Sequence, residues 1–418
     1  MSLENSDDTQ GVTGGLCPPG KLRLGLCCLN TVLRNQKPTV FCSRTCNRKN
    51  FTVEIAQQKA LQNVKDIIKL IQWNQAHNIQ CLRLSSEIFP HFNDHETTPY
   101  TIDFARPYLK MAGDLANQLG HRIVMHPGQY NQVGAENPAV FQKTIEDLKH
   151  HADILDAMGI DDNGVLIVHG GGVYQSKEKT KLRWIEQFQK LPENVKKRLV
   201  IENCERNYST QDCLEIAHKC QIPVVFDFHH YACWSVIYGP QTHFLEKSDG
   251  KKGSQGGLCP AQKSIAELMP EIIQTWGNRR LLMHISQQAP DKKIGAHSDY
   301  IEQLPQQLFD TIIQYNVAID LEVEAKMKEQ AILRLYQKYP QIWGDSPHRH
   351  PLIRVCLNDS NQKGVYGGNP PKKIPLVVKK IPLVVKKIPL VVKKIPLVVK
   401  NVQKIPLQLK QIPLQLKA

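Results

Sequence analysis

Six apolar runs in succession end in side chains that can bind a metal or move a proton. His126 follows RIVM, His169 closes VLIVH, and Glu202 lies in RLVIEN. Asp227 and His230 close PVVFDFHH, His284 lies in LLMHIS, and Glu324 ends VAIDLEVE, while Asn30 stands just past an earlier run, LRLGLCC. A single histidine or glutamate at such a place is ordinarily a cap or a hydrogen-bonded surface group. The conjunction argues otherwise, because carboxylates gathered on one rim repel unless cations neutralise them. Imidazoles with carboxylates suit Zn2+ or Mn2+, and two or three ions fit once the carboxylates bridge. Such a cluster activates a water and stabilises a leaving oxygen, which suits hydrolysis of phosphate esters; isomerisation of a sugar could use a similar site.

The run RIVM also breaks at once into HPGQY, residues 126–130. Pro127 and Gly128 turn the chain and leave Gln129 and Tyr130 beyond the end of the strand, an ending from which a core strand gains nothing. On the residues alone, Tyr130 reads as a loop aromatic packed on a neighbour.

These groups need a scaffold that brings strand ends together. Eight apolar runs recur, at residues 22–28, 81–86, 122–128, 165–171, 198–203, 223–230, 281–286 and 317–324. Between them lie segments with helical spacing of apolar residues, such as 63–78, 107–120, 140–159 and 305–315. Near-continuous apolar strands alternating with amphipathic helices are parallel strands covered on both faces, and eight such units close into a barrel. The expectation is an α/β fold, a (β/α)8 TIM barrel over residues 21–345, with its site at the C-terminal ends of the strands.

The formal charge of +14 is unevenly placed: residues 372–418 carry twelve Lys and no Asp, Glu or Arg, so the remaining 371 residues carry only +2. That tail repeats KIPLVVK with period seven, and a proline in every repeat blocks both helix and central strand. It reads as a disordered, low-complexity basic tail, joined through a linker at 346–371 that contains GVYGGNPP; residues 1–20 read as a disordered leader. The acidic start MSLENSDDTQ is not a secretory signal, and the twelve cysteines form no pair of opposed C-x-x-C motifs. Structural or incidental thiols in a reducing compartment are expected. No apolar run reaches the roughly 20 residues that a membrane helix needs, so no membrane partner is expected.

RLGLCCLN, RLSSEIFPH (83–91), MHPGQY (125–130), IEN (201–203), FDFHH (226–230), HIS (284–286), AHSDYI (296–301) and EAKMKEQA (324–331) together resemble the UV damage endonuclease family. The resemblance spans roughly residues 22–335 and implies a TIM barrel related to endonuclease IV and the xylose isomerases. It implies an endonuclease that nicks DNA 5′ to ultraviolet photoproducts, cyclobutane dimers and 6-4 products, through two or three divalent ions, Mn2+ first, with Mg2+ or Zn2+ as alternatives. Carried over by position, it makes His126, His169, Glu202, Asp227, His230, His284, His297 and Glu324 the metal candidates, with Glu202, Glu324, His126 and His284 central to catalysis. Gln129 and Tyr130 match a pair that probes the duplex at the lesion, and Asn30 matches the lesion pocket. The implied partner is double-stranded DNA carrying UV lesions, bound by a monomer. The implied compartment is the nucleoid-containing cytoplasm of a prokaryote or the nucleus of a eukaryote. Leu282 stands where family members can carry a modified lysine that bridges metals, Leu26 stands where some have a tyrosine, and Glu322 competes with Glu324. The other readings are a sugar isomerase or epimerase, and a non-catalytic DNA-binding protein with structural metals.

Overall fold

The computed structural model describes residues 17–239 and 262–343; most of the expected leader and the whole of the linker and basic tail lie outside them. The chain opens with β1 (Leu22–Cys27), α1 (Thr31–Asn35), α2 (Val53–Ala76), β2 (Cys81–Leu84), α3 (Arg106–Gln118) and β3 (Arg122–Met125). It continues through α4 (Pro138–Met158), β4 (Leu166–His169), α5 (Lys177–Phe188), α6 (Glu193–Lys196), β5 (Leu199–Glu202) and α7 (Thr210–Cys220). The last units are β6 (Val224–Asp227), α8 (Phe228–Tyr238), α9 (Ile265–Trp276), β7 (Leu281–Ile285), α10 (Gln306–Tyr315), β8 (Ile319–Val323), α11 (Glu329–Lys338) and α12 (Pro340–Trp343).

All eight strands pair in parallel and in sequence order, and β1 pairs with β8 to close the barrel. Strands such as LIVH, LVIE and VVFD are buried along nearly their whole length, as both faces require when helices cover the outside. Helix starts follow local capping chemistry: Thr52 opens α2, Asn137 opens α4, and Ser209 and Asp212 form a capping box on α7. The Thr52 cap accounts for one departure from the apolar pattern. α2 begins at Val53, ten residues before the dense apolar spacing that starts at Asn63, because a capped helix extends through its more polar first turns. Gly113 lets α3 lie against the end of α4, since a Cβ there would sit 1.8 Å from the Met158 carbonyl oxygen.

The barrel interior is unusually charged on β8. Asp320, Glu322 and Glu324 alternate along one face and point inward at three heights. At the N-terminal end, Asp320 is fully buried among Arg23 (2.6 Å), Arg280 (2.8 Å) and Arg122 (3.3 Å). Those three guanidiniums hold its carboxyl below the ordinary range against the upward push of burial. The two higher carboxylates meet Arg83 of β2 and His284 of β7, which brings the charge network to the opposite mouth.

Candidate metal centre and the exposed turn after β3

Glu202, at the end of β5 and 1% exposed, is the hub of the C-terminal mouth. Its Oε2 lies 2.9 Å from His126 Nε2 and 3.8 Å from His169 Nε2. Its Oε1 lies 3.0 Å from His284 Nδ1 and 3.4 Å from His230 Nδ1. Four imidazoles, from the units of β3, β4, β6 and β7, thus converge on the buried carboxylate at the end of β5. Burial pushes the Glu202 carboxyl up, but His284 and His169 outweigh it and hold the group well below the carboxylate range. Burial pushes the His169 imidazole down to about 4, which keeps it neutral at pH 7, the form that coordinates a cation.

The neighbouring ligands are set by backbone. Asp227 Oδ1 caps α8 by accepting from the His230 amide at 2.8 Å, which places His230 over the mouth, while Asp227 Oδ2 has no hydrogen-bond partner. Against the burial of its ring, the Asp227 and Glu202 carboxylates hold the His230 imidazole well above its ordinary range. Two three-donor groups therefore share Glu202, one with His126 and His169 and one with Asp227 and His230, and in each the donor atoms lie within 4.8 Å of one another. This donor set, with an unpartnered carboxylate oxygen aimed into it, fits a divalent cation. His284 and His297 stand outside these groups but face Glu324, with His284 Nδ1 at 3.6 Å and His297 Nδ1 at 3.7 Å. Leu282 is fully buried, one inward position below His284, and offers no donor where a bridging group would stand.

A third group joins Glu324 to Glu322 and Cys27. Burial pushes the Cys27 thiol well above its ordinary range. The ten cysteines of the described residues are all free, as incidental thiols would be. Glu322 is fully buried; its carboxylate lies 2.9 Å from His284 Nε2 and 3.5 Å from Arg83 Nη1. Glu324, 12% exposed at the side chain, pairs closely with Arg83 Nη1 and is the better placed of the two to meet a substrate.

Arg83 is the residue that reasoning from strand ends missed. It lies inside CLRLSS rather than after it, so only the inward alternation of β2 marks it. Glu205 was missed too: it lies beyond the strand, and its Oε2 is 4.0 Å from His230 Nε2. His229, whose ring stands 5.4 Å from that of His297, lies beside the better-placed His230. Asn30, expected at the lesion pocket, lies beneath the rim. Asn30 is fully buried and its side-chain oxygen accepts from the Leu33 amide at 2.8 Å as the cap of α1, so it lines no open pocket in this conformation.

The turn after β3 is exposed at Gln129 and Tyr130, and Tyr130 is 62% exposed. A Cβ at Gly128 would lie 2.4 Å from Tyr130 Cε1, because the ring folds back over the turn, so a side chain there would displace the ring. Beneath the ring opens a cavity of about 550 Å³ lined by Glu87, Phe92, Asp147 and His150, among others. The inner end of Tyr130 is less free than its exposure suggests. Partial burial, with the carboxylates of Asp147 and Glu87, pushes the phenol up to about 12.

Fold and mouth together define a (β/α)8 barrel protein whose strand ends carry groups able to hold divalent cations. The chain belongs to the UV-endonuclease UvdE family, whose model matches residues 22–346. The UV-damage endonuclease of Schizosaccharomyces pombe is 36% identical over 335 residues, which cover 77% of this chain and 51% of that protein. The chain thus spans about half the length of that relative. A putative UV-damage endonuclease of Acanthamoeba polyphaga mimivirus is 34% identical over 343 residues, 79% of this chain and 96% of that protein. Among solved structures, SacUVDE matches with a TM-score of 0.63 and 27% identity, covering 77% of this chain and all of that one. Among the described residues, no helix is long and apolar enough to cross a membrane.

Proposed function

We propose that this chain is a divalent-metal-dependent endonuclease that nicks double-stranded DNA 5′ to ultraviolet photoproducts. The observation that carries the reading is the adjacency of two features on one short stretch: His126 touches the Glu202 hub, and three residues later an amide and an aromatic side chain stand exposed. Cleavage chemistry and a probe for disturbed stacking thereby share one rigid support. Lesions are already poorly stacked, so extruding their bases costs less than at intact pairs, and an inserted ring recovers part of the lost stacking.

Within this reading, His126, His169, Glu202, Asp227 and His230 hold one or two cations, with Mn2+ the first choice, and Glu324 with His284 and His297 completes the set. A bound cation would supply Lewis-acid polarisation of the phosphodiester and neutralise charge on the leaving oxygen. The protein's own part is to orient the imidazoles through Glu202, to keep His169 neutral by burial, and to present Glu324 and His126 at the part-exposed rim. Glu202 and His284, 1% and 0% exposed, hold cations from the buried side of the mouth and orient the other ligands. A sugar isomerase on such a barrel would need a closed pocket and no protruding turn, and the 62% exposure of Tyr130 stands against it. Beyond the described residues, the twelve lysines of the tail would neutralise DNA phosphates without reading bases. We further propose that the chain acts as a monomer.

The test is nicking of irradiated and intact supercoiled plasmid with Mn2+ and after chelation. Nicking confined to irradiated DNA and abolished by chelation, and by His126→Ala with Mn2+ present, supports the reading. Equal nicking of both plasmids contradicts it.

A further inference from the structure

The turn that carries Gln129 and Tyr130 is held from below by a residue outside the metal cluster. Asp147, on α4 and 7% exposed, accepts from Asn131 Nδ2 at 2.7 Å through Oδ2 and from Asn93 Nδ2 at 2.9 Å through Oδ1. Asn131 is itself 3% exposed, and both its backbone amide (2.9 Å) and its side-chain amide (3.0 Å) donate to the Gly128 carbonyl oxygen. One carboxylate therefore ties three elements together: α4, the loop after β2 through Asn93, and the turn after β3 through Asn131. A second link runs from α4 to the same loop, where the Gln132 amide donates to Thr144 Oγ1 at 3.0 Å.

We infer that Asp147 is a positioning residue for lesion recognition, a buried carboxylate that locks the Gly128–Asn131 turn so that Gln129 and Tyr130 meet the duplex in one fixed pose. This rests on the proposed function of the turn. The physical argument is preorganisation: a wedge that must be ordered on each encounter loses side-chain and backbone entropy at the moment of binding, and a locked one does not. Two amide donors meeting one buried carboxylate are charge-assisted bonds, and an isosteric amide at the same place cannot accept from both without presenting a donor to a donor. The clamp leaves Glu202 and its histidines untouched, so it acts on recognition through the turn and not on the ligands.

The test uses the full chain with Asp147→Asn and, in case that variant folds poorly, Asn131→Ala. Amide hydrogen exchange across residues 127–132 is expected to rise at least about tenfold in either variant, while exchange in β4 to β8 stays at the wild-type level. This readout needs no nuclease activity, so it stands if the proposed function fails. On irradiated plasmid, the ratio of kcat/KM for damaged over intact DNA is expected to fall about tenfold, through KM rather than kcat. In a Gln129→Ala, Tyr130→Ala background, Asp147→Asn should then cost nothing more, because both act through one turn. Unchanged exchange across 127–132 overturns the clamp. An additive loss in the triple variant overturns its action through the turn. A wild type that ignores irradiation overturns the functional reading while the exchange result still decides the clamp.

Discussion

Replacing Arg83 by Met should destabilise the metal-free barrel and make its stability depend more steeply on divalent cations. The Arg83 guanidinium lies against two carboxylates, Glu324 at close range and Glu322 at 3.5 Å, with its own side chain only 13% exposed. Burial alone would push the Glu324 carboxyl up, yet Arg83 and then His284 hold it far below the carboxylate range. Removing one partner of a buried ion pair costs on the order of 3–5 kcal/mol, because the remaining charge is left uncompensated. For a barrel of this size that lowers Tm by roughly 5–8 °C. The sign with pH follows from Glu324: a depressed folded-state pKa adds stability that is fully present above the ordinary carboxylate range and is lost progressively as pH falls below that range toward the depressed folded-state value. The gap between wild type and Arg83→Met should therefore be full at pH 8 and begin to narrow near pH 4. A cation at about a hundred times its Kd restores roughly 2.7 kcal/mol to whichever form binds it. Without Arg83 competing for Glu324, Mn2+ should raise the Tm of the variant more than that of the wild type. The assay is thermal unfolding by circular dichroism in chelator and in Mn2+ at both pH values. A chelated variant that melts within about 1 °C of wild type, or equal Mn2+ shifts in both proteins, refutes the argument.

Two further outcomes follow from particular side chains. His121 is 6% exposed, with Nε2 2.9 Å from Gln75 Oε1, and burial, helped by Arg23, pushes it down from 6.5 to about 4. Such a histidine favours the folded state above pH 6.5 and loses that contribution, up to about 3 kcal/mol, as pH drops toward 4. His121→Gln should therefore flatten the acid limb of a urea-unfolding stability curve between pH 6.5 and 4, and an identical limb would show that the ring is not held neutral. Gln129→Ala with Tyr130→Ala should weaken preference for irradiated over intact DNA in competition binding while Mn2+ titration by calorimetry stays unchanged; a full lesion preference in the double variant excludes the turn as probe.

The barrel was legible because each strand is a nearly unbroken apolar run, a pattern that parallel strands buried on both faces impose, and all eight runs became strands. The mouth was legible for the same reason: side chains just past an apolar run lie at the strand ends, and His126, His169, Glu202, Asp227 and His230 are brought within reach of one another. What escaped was whatever depends on inward alternation inside a run. Arg83 and the burial of Glu322 follow from register across β1, β2 and β8, where Gly25 faces both Cys81 and Glu322, and no local window shows that register. The inward turn of Asn30 was not legible either: its place after β1 is that of a rim residue, and only the structure shows its side chain capping α1.

The most direct measurement is to map the nick on a 5′-labelled duplex carrying a single cyclobutane pyrimidine dimer, with wild type and Glu202→Gln compared under Mn2+. One cut immediately 5′ to the dimer is expected for the wild type, none on the matching undamaged duplex, and at least a hundredfold loss of rate, on the order expected when a hub of metal ligands is removed, for Glu202→Gln. Cutting 3′ to the dimer, cutting of both duplexes alike, or an undiminished rate in Glu202→Gln would contradict the proposed function.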